Sequence, residues 1–393
     1  MPNPNLPFSL AEYAERLART RRAMAAANVD LIFVTDPSNM AWLTGYDGWS
    51  FYVHQGVLVG LSGEPVWWGR AMDAAGALRT AYIAPENIHF YDDSYVQNPL
   101  KHPMTDLAGL IKAQGWESAR LGVELDNYYF SAAAYLALHS GLPLARISDT
   151  TGLVNWQRAV KSDTELVYMR RAARIVEQMH RVVLDRAEPG MRKNDLIADI
   201  YHASITGADG HWGDYPAIVP MAPSGQDATA PHLTWDDTPL RVGESTFFEI
   251  AGAHRRYQCP QSRTLFLGTP PQKYLDAAKA VLEATEAGLE QAKPGNLCED
   301  IARAFNARLN LLGFQKDSRC GYAIGISYPP DWGERTMSLR AGDKTVLEPG
   351  MTFHFIPALW LDDGGLEITE PIVITETGAE CLCRTPRELF IKP

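Results

Sequence analysis

A helix that stops at a Pro-Gly turn, followed a few residues later by a second helix, occurs twice in this 393-residue chain. The first copy ends Arg186-Ala187-Glu188-Pro189-Gly190-Met191 and resumes at Asp195-Leu196-Ile197-Ala198-Asp199. The second ends Gln291-Ala292-Lys293-Pro294-Gly295-Asn296 and resumes at Asp300-Ile301-Ala302-Arg303-Ala304. A repeat at a spacing of roughly a hundred residues predicts two similar α/β halves facing one another, with a natural pocket in the cleft between them. Two unrelated helix hairpins sharing Pro-Gly stops are the alternative.

Upstream of the repeat the signals differ. Leu10 to Asn28 carries apolar residues at helical spacing, and Asp30-Leu31-Ile32-Phe33-Val34-Thr35 reads as a buried strand, a pattern resumed at Gly56-Val57-Leu58-Val59-Gly60. This predicts a smaller amino-terminal α/β domain. Ser162-Asp163-Thr164-Glu165 is a capping-box signal that opens a long amphipathic helix to about residue 187. The expected domains are therefore 1–157 and 158–393, and the chain is long enough to bury a core in each.

A net charge of -11 argues against nucleic-acid binding, which needs clustered Lys and Arg. Cys259, Cys298, Cys320, Cys381 and Cys383 form no Cys-x-x-Cys pair, so neither a disulfide framework nor a zinc site is indicated. Met1-Pro2-Asn3-Pro4-Asn5 lacks a basic segment followed by an apolar run, and no stretch of about 18 apolar residues occurs. The expectation is a cytoplasmic protein with reduced thiols and no membrane span.

Several motifs then carry a family resemblance. Arg158-x-x-Lys161, Pro223-Ser224-Gly225 leading to His232, Gly321-Tyr322-Ala323-Ile324-Gly325, Leu347-Glu348-Pro349-Gly350-Met351 and Gly365-Leu366-Glu367-Ile368-Thr369-Glu370 together resemble the creatinase and methionine aminopeptidase family. The resemblance covers nearly the whole chain. It implies an α/β fold: a smaller creatinase-like amino-terminal domain and a carboxy-terminal pita-bread domain built from two similar halves. In that family two aspartates, a histidine and two glutamates hold a pair of metal ions. Here the corresponding places hold Glu249, Pro260, Tyr322, Ile356 and Thr369. Pro and Ile have no donor side chain, and Tyr and Thr are poor substitutes for imidazole and carboxylate, so no metal and no other cofactor are expected. His211, Asp214, His254 and Glu367 are spare donors without the spacing of a known site.

Creatinase is a metal-free member, a homodimer in which the partner's amino-terminal domain completes the active site. Its substrate-binding glutamates fall here at Ser262 and Ile356, which makes creatine a poor fit. The segment Asp36 to Gln55 is instead similar to the ectoine hydrolase branch, which implies opening of the cyclic amidine ectoine to an N-acetyl-diaminobutyrate, with hydroxyectoine as a second candidate substrate. A homodimer is the implied assembly. Trp49, Tyr52 and His54 lie in this segment and resemble the part of creatinase that reaches the partner's active site, which implies aromatic cover for a cation.

The chemistry follows from the residues themselves. A metal pair serves peptidases by making hydroxide and polarising a carbonyl. A cationic amidinium carbon is already electrophilic, and a divalent ion about 4 Å away would repel it by roughly 8 kcal/mol at an effective dielectric near 20. Glu249 is the carboxylate left at the five positions, on the apolar run Thr246-Phe247-Phe248-Glu249-Ile250, where an acid is costly unless something positive pairs with it. Its expected role is nucleophile or general base, and His232 is the expected proton shuttle. Tyr322, His354, Trp332 and Arg335 complete the expected substrate-binding set: His354 should share a strand face with Ile356, and Arg335, on a Pro-rich loop with Trp332, is the candidate for a substrate carboxylate. Two other readings stand beside this one. One is a different metal-independent hydrolase or lyase of a small zwitterionic osmolyte, and the other is a catalytically silent binding module.

Overall fold

A computed structural model of the chain describes residues 6–393. The opening Met1-Pro2-Asn3-Pro4-Asn5 lies outside the described residues. The chain divides into two compact units, one ending at Arg158 and the other spanning Ala159–Pro393. No helix among the described residues is long and apolar enough to cross a membrane.

The first unit is an α/β layer structure. Its elements are α1 (Leu10–Ala26), β1 (Leu31–Val34), α2 (Pro37–Thr44), β2 (Gly56–Gly60), β3 (Val66–Arg70), α3 (Ala71–Thr80), β4 (Ile88–Tyr91), α4 (Pro103–Ala113), β5 (Arg120–Val123), α5 (Ala132–Gly141), β6 (Arg146–Asp149) and α6 (Leu153–Gln157). Ser9 caps α1 by accepting the Glu12 N–H, and Asp36 caps α2 with Pro37 at its first position. The strands form one sheet ordered β4-β3-β2-β1-β5-β6. Leu31 and Phe33 of β1 point into a core with Leu58, Trp68, Leu121 and Val123, closed by α4 and α5 through Leu107, Ile111 and Leu138. Alternate residues of one strand reach one face, which is why Leu31 and Phe33 act together.

The second unit contains α7 (Asp163–Arg186), α8 (Lys193–Thr206), β7 (Ser245–His254), β8 (Tyr257–Leu267), α9 (Gln272–Leu289), α10 (Cys298–Leu311), β9 (Gly321–Ile324), β10 (Gly333–Ser338), β11 (Thr352–Phe355), β12 (Ala358–Leu361), β13 (Gly364–Glu367), β14 (Glu370–Ile374), β15 (Ala379–Cys381) and β16 (Phe390–Lys392). The capping box forms: Ser162 Oγ accepts the Glu165 N–H at 3.3 Å and Glu165 Oε2 accepts the Ser162 N–H at 2.9 Å. Glu165 Oε1 also accepts the Tyr257 hydroxyl at 2.7 Å, fixing the start of α7 to β8.

The repeat seen in sequence becomes two helix pairs, α7 with α8 and α9 with α10, each ending its first helix near a Pro-Gly turn. α7 packs on the β7–β8 hairpin. Gly252 permits the contact, because a Cβ there would sit 2.2 Å from the Ala172 carbonyl oxygen of α7. β7 and β8 are buried along their whole length, so the face turned away from α7 is enclosed as well. α9 and α10 cover the second sheet, ordered β10-β9-β11-β14-β15, through Phe305, Phe355 and Ile372. A bridge between Arg263 and Ile368 joins β8 to the run between β13 and β14.

One buried ion pair spans the unit. Lys161 Nζ donates to Glu334 Oε2 at 2.7 Å, and both side chains are 0% exposed. Removing the Lys161 ammonium breaks a fully buried charge pair, a change that costs about 3–5 kcal/mol. Lys161→Met is therefore expected to lower unfolding stability by about that amount in urea titration, far more than a change at an exposed lysine.

Candidate active site

β7 delivers Glu249 to the enclosed face of the hairpin, opposite Ser262 of β8. The next strand-like segment holds Thr369, whose Oγ1 accepts the Ser262 N–H at 2.7 Å, while Ser262 O accepts the Thr369 N–H at 3.1 Å. Glu249, Ser262 and Thr369 thus stand in one row across three chain segments, and side chains in such a row point to the same face.

His354 joins this row to the second sheet. On β11, it lies 2.8 Å from Thr369 Oγ1 through Nε2, 3.3 Å from the Tyr322 hydroxyl through Nδ1, and 3.9 Å from Glu249 Oε1 through Nδ1. Trp332 Nε1 donates to the Tyr322 hydroxyl at 2.6 Å. Complete burial, reinforced by the Arg319 guanidinium, pushes the His354 imidazole down to about 3. A neutral imidazole carries one donor and one acceptor, and the two hydroxyls flanking it can each serve either role. Three of the five positions where the family's ligands would stand are therefore connected through one histidine. Pro260 of β8 faces Ala251 of β7, and Ile356, just past β11, is held by its N–H to the Cys320 carbonyl at 2.6 Å.

The site is acidic at its centre and basic at its edge. Burial first, and the Glu367 carboxyl second, hold Glu249 well above the usual carboxylate range, with the Lys316 ammonium acting in the opposite direction. Glu367, at the end of β13, is 2% exposed, and burial pushes it up to about 7 against the restraint of Ser262 and Lys316. Burial, then Glu249, raises Tyr322 well above the ordinary phenol value. Lys316 and Arg319, on the segment before β9, line a cavity of about 540 Å³ with Asn306 and Arg340, and the Arg319 guanidinium lies 4.3 Å from the centre of the Tyr322 ring.

The expected residues are thus unevenly gathered. Glu249, Tyr322, His354 and Trp332 come together. His232 stands exposed on the loop after Gly225–Thr229 and makes no hydrogen bond or ion pair among the described residues, although its loop is tied to the β7 edge. Met221 and Glu249 exchange backbone hydrogen bonds at 3.0 Å, and the Ala222 N–H reaches the Thr234 carbonyl at 3.1 Å. Trp332 and Arg335, expected on one Pro-rich loop, differ in setting: Trp332 is buried, whereas Arg335 lies exposed within β10 at φ 55°. Trp49, Tyr52 and His54 belong to the first unit. There the Tyr52 hydroxyl accepts from Arg70 at 3.0 Å, and His54, its ring 4.7 Å from that of His102 and tilted 46° to it, is pushed down to about 4 by burial and then by that neighbour. Tyr52, His54 and His102 line a pocket of about 240 Å³ with Tyr91, Tyr95 and Lys101.

Comparison with known proteins sets this geometry in a lineage. Residues 16–160 match the creatinase/prolidase N-terminal domain, and residues 167–376 match metallopeptidase family M24. The chain belongs to the M24 family. It is similar to the ectoine hydrolase of Halomonas elongata, with 58% identity over 399 residues covering 99% of each chain. An uncharacterized hydrolase/peptidase of Sinorhizobium fredii is 40% identical over 388 residues, covering 98% of this chain and 99% of its own. Among solved structures, the dipeptidase PepE of Mycobacterium ulcerans superposes with a TM-score of 0.81 at 23% identity, covering 98% of this chain and 99% of its own, and a prolidase of Thermococcus sibiricus with 0.85 at 18%, covering 98% and 100%. These two establish the α/β pita-bread fold.

Membership in M24 implies a metal pair, and the side chains here do not fit one. Pro260 and Ile356 offer no donor. Thr369 Oγ1 is engaged by the Ser262 N–H and His354, and the Tyr322 hydroxyl by Trp332 and His354. No group of three His, Cys, Asp or Glu side chains among the described residues is arranged to hold a metal ion.

The raised Glu367 makes a stability prediction. A carboxyl whose folded-state value stands near 7 binds its proton more tightly folded than unfolded, so its contribution is present below the unfolded value of about 4.5 and is lost as pH rises through about 7. Glu367→Gln is expected to remove that loss, making the variant more stable than wild type at pH 8 by a margin of order 3 kcal/mol over their difference at pH 4. Paired denaturation curves at the two pH values measure it.

Proposed function

We propose that the chain hydrolyses the cyclic amidine ectoine to an N-acetyl-diaminobutyrate without a metal ion. The observation that carries the substrate is the 58% identity, over 99% of both chains, to a protein named as an ectoine hydrolase. The chemistry of the site agrees with that substrate. A cationic amidinium offsets the cost of holding Glu249 ionised beside a second buried carboxyl, which a neutral peptide bond cannot do.

In this reading Glu249 meets the amidinium and then acts on its central carbon, as nucleophile or as base for water. Tyr322 and Trp332 wall the ring, with His354 fixing Tyr322. His232, on its exposed loop beside β7, exchanges protons with solvent. Lys316 and Arg319, rather than the exposed Arg335, take the substrate carboxylate, since they stand at the edge of the acid centre. Ectoine ring signals followed by proton NMR should disappear at the same rate before and after chelator treatment. Glu249→Gln should lower kcat by at least about 100-fold. Turnover that requires added metal would contradict the metal-free route, and near wild-type turnover by Glu249→Gln would remove Glu249 from it.

The protein further acts in the cytoplasm as a homodimer in which the partner's Trp49, Tyr52 and His54 cover the site. That assembly predicts complementation. Mixing inactive Glu249→Gln chains with inactive Trp49→Ala/Tyr52→Ala chains should restore about a quarter of wild-type activity per chain, the share of sites in which both halves are intact under random pairing. Each variant alone should stay inactive.

A further inference from the structure

Glu367 has no role in the reaction as drawn so far, yet it is among the most enclosed acids of the molecule. The register fixes its place. Thr264, two residues beyond Ser262 on β8, accepts the Glu367 N–H at 2.8 Å and donates its hydroxyl to the Glu367 carbonyl at 3.0 Å. Glu367 is therefore two residues from Thr369 along the same extended run and projects to the same face as Glu249 and Ser262. Glu367 Oε2 and Ser262 Oγ are both buried and form no well-aligned hydrogen bond among the described residues, Ser262 being the neighbour that restrains the rise of the Glu367 carboxyl. An unpartnered carboxyl oxygen at 2% exposure is costly in the free protein and points to something that engages it during function.

We propose that Glu367 is a second catalytic carboxyl, the acid that protonates the ring nitrogen as it departs, in a pair with Glu249. This rests on the amidine hydrolysis proposed above. In the free protein the proton favours Glu249, the more strongly raised acid; the bound amidinium pairs with Glu249 and ionises it, leaving the proton on Glu367. Water then attacks the amidinium carbon, a C–O bond forms, Glu249 takes the water proton, and the C–N π pair moves onto nitrogen. Glu367 then gives its proton to the departing nitrogen as the C–N bond breaks, the electron pair leaving with nitrogen. The remaining hydroxyl proton passes to Glu367 as the amide carbonyl forms, and the proton held by Glu249 goes to the freed amine, which leaves as an ammonium. One water is consumed, and both carboxyls regain their starting states.

The other titratable groups facing this space do not supply that proton. His354 is neutral down to about 3, the Tyr322 phenol is held far above its ordinary value, and Cys320 is pushed up to about 11 by burial. Lys316 is lowered by burial but held as an ammonium by Glu367 and Glu249, whose charge it would leave uncompensated on giving up its proton, and Arg319 faces Tyr322 rather than the acids. A carboxyl titrating near neutrality is matched to delivering a proton at neutral pH.

The test begins with wild-type protein and ectoine. Absence of turnover overturns the hydrolase reading and this inference with it. Given turnover, Glu367→Gln is expected to lower kcat by about 100-fold or more while KM stays within about threefold, and to abolish the alkaline limb of the wild-type kcat profile. Glu367→Asp is expected to recover part of the rate together with that limb. A Glu367→Gln protein that keeps kcat within about threefold of wild type and keeps the alkaline limb overturns the role of Glu367 while leaving the hydrolase reading intact. Should Glu367→Gln fail to fold, infrared spectra of wild type decide. A protonated-carboxyl band at neutral pH that vanishes on alkalinisation and survives in Glu249→Gln is expected, and its absence overturns the proposal.

Discussion

Two carboxyl groups buried side by side are the constraint around which the second unit is organised. Each resists ionisation through lost hydration, and the Glu367 charge raises the cost at Glu249 further. The surroundings hold the pair without neutralising it fully: Lys316 acts from one side, and the uncharged His354 contributes hydrogen bonding but no positive charge. The site is thus left electrically short of one cation. In a relative with a metal pair that deficit would be met by the ions, whereas here it is open to a substrate.

The neutral histidine shows how the family scaffold was rebuilt. Imidazole nitrogens flanked by Thr369 and Tyr322 tie together positions that metal ligands would otherwise occupy, and Trp332 completes the Tyr322 hydroxyl's bonding. Side chains that would be left with unmet hydrogen bonds when ions are absent instead satisfy one another. Such a network is rigid because each member has few other partners.

Much of this was legible from sequence, and the misses have physical causes. The capping box, the Pro-Gly repeat and the apolar run around Glu249 are local signals, decided by neighbours within a few residues, and they appear in the structure as helices α7 to α10 and strand β7. His354 was readable because period-two alternation sends it to the face of its strand that carries function. Glu367 was visible only as a spare donor, since its approach to Glu249 depends on which strands become neighbours, and the pairing of residue 264 with 367 leaves no mark in either segment. Lys316 and Arg319 sit on an irregular segment with no motif. Trp332 is buried just before β10, whereas Arg335 within it is exposed and has a positive φ. Local propensity does not announce such a twist.

Gly252 lies on the face of β7 opposite Glu249 and touches no group in the site, yet it sets how deeply α7 settles onto that strand. The acid centre is consequently supported from behind by a contact between bare backbone and a helix carbonyl, with no side chain available to absorb a change. Tuning of such a centre through its rear wall is coarse: any added atom there displaces the whole strand rather than one group. Adaptation to new substrates in this scaffold is therefore steered toward the rim, where Lys316, Arg319 and the His232 loop can vary one at a time.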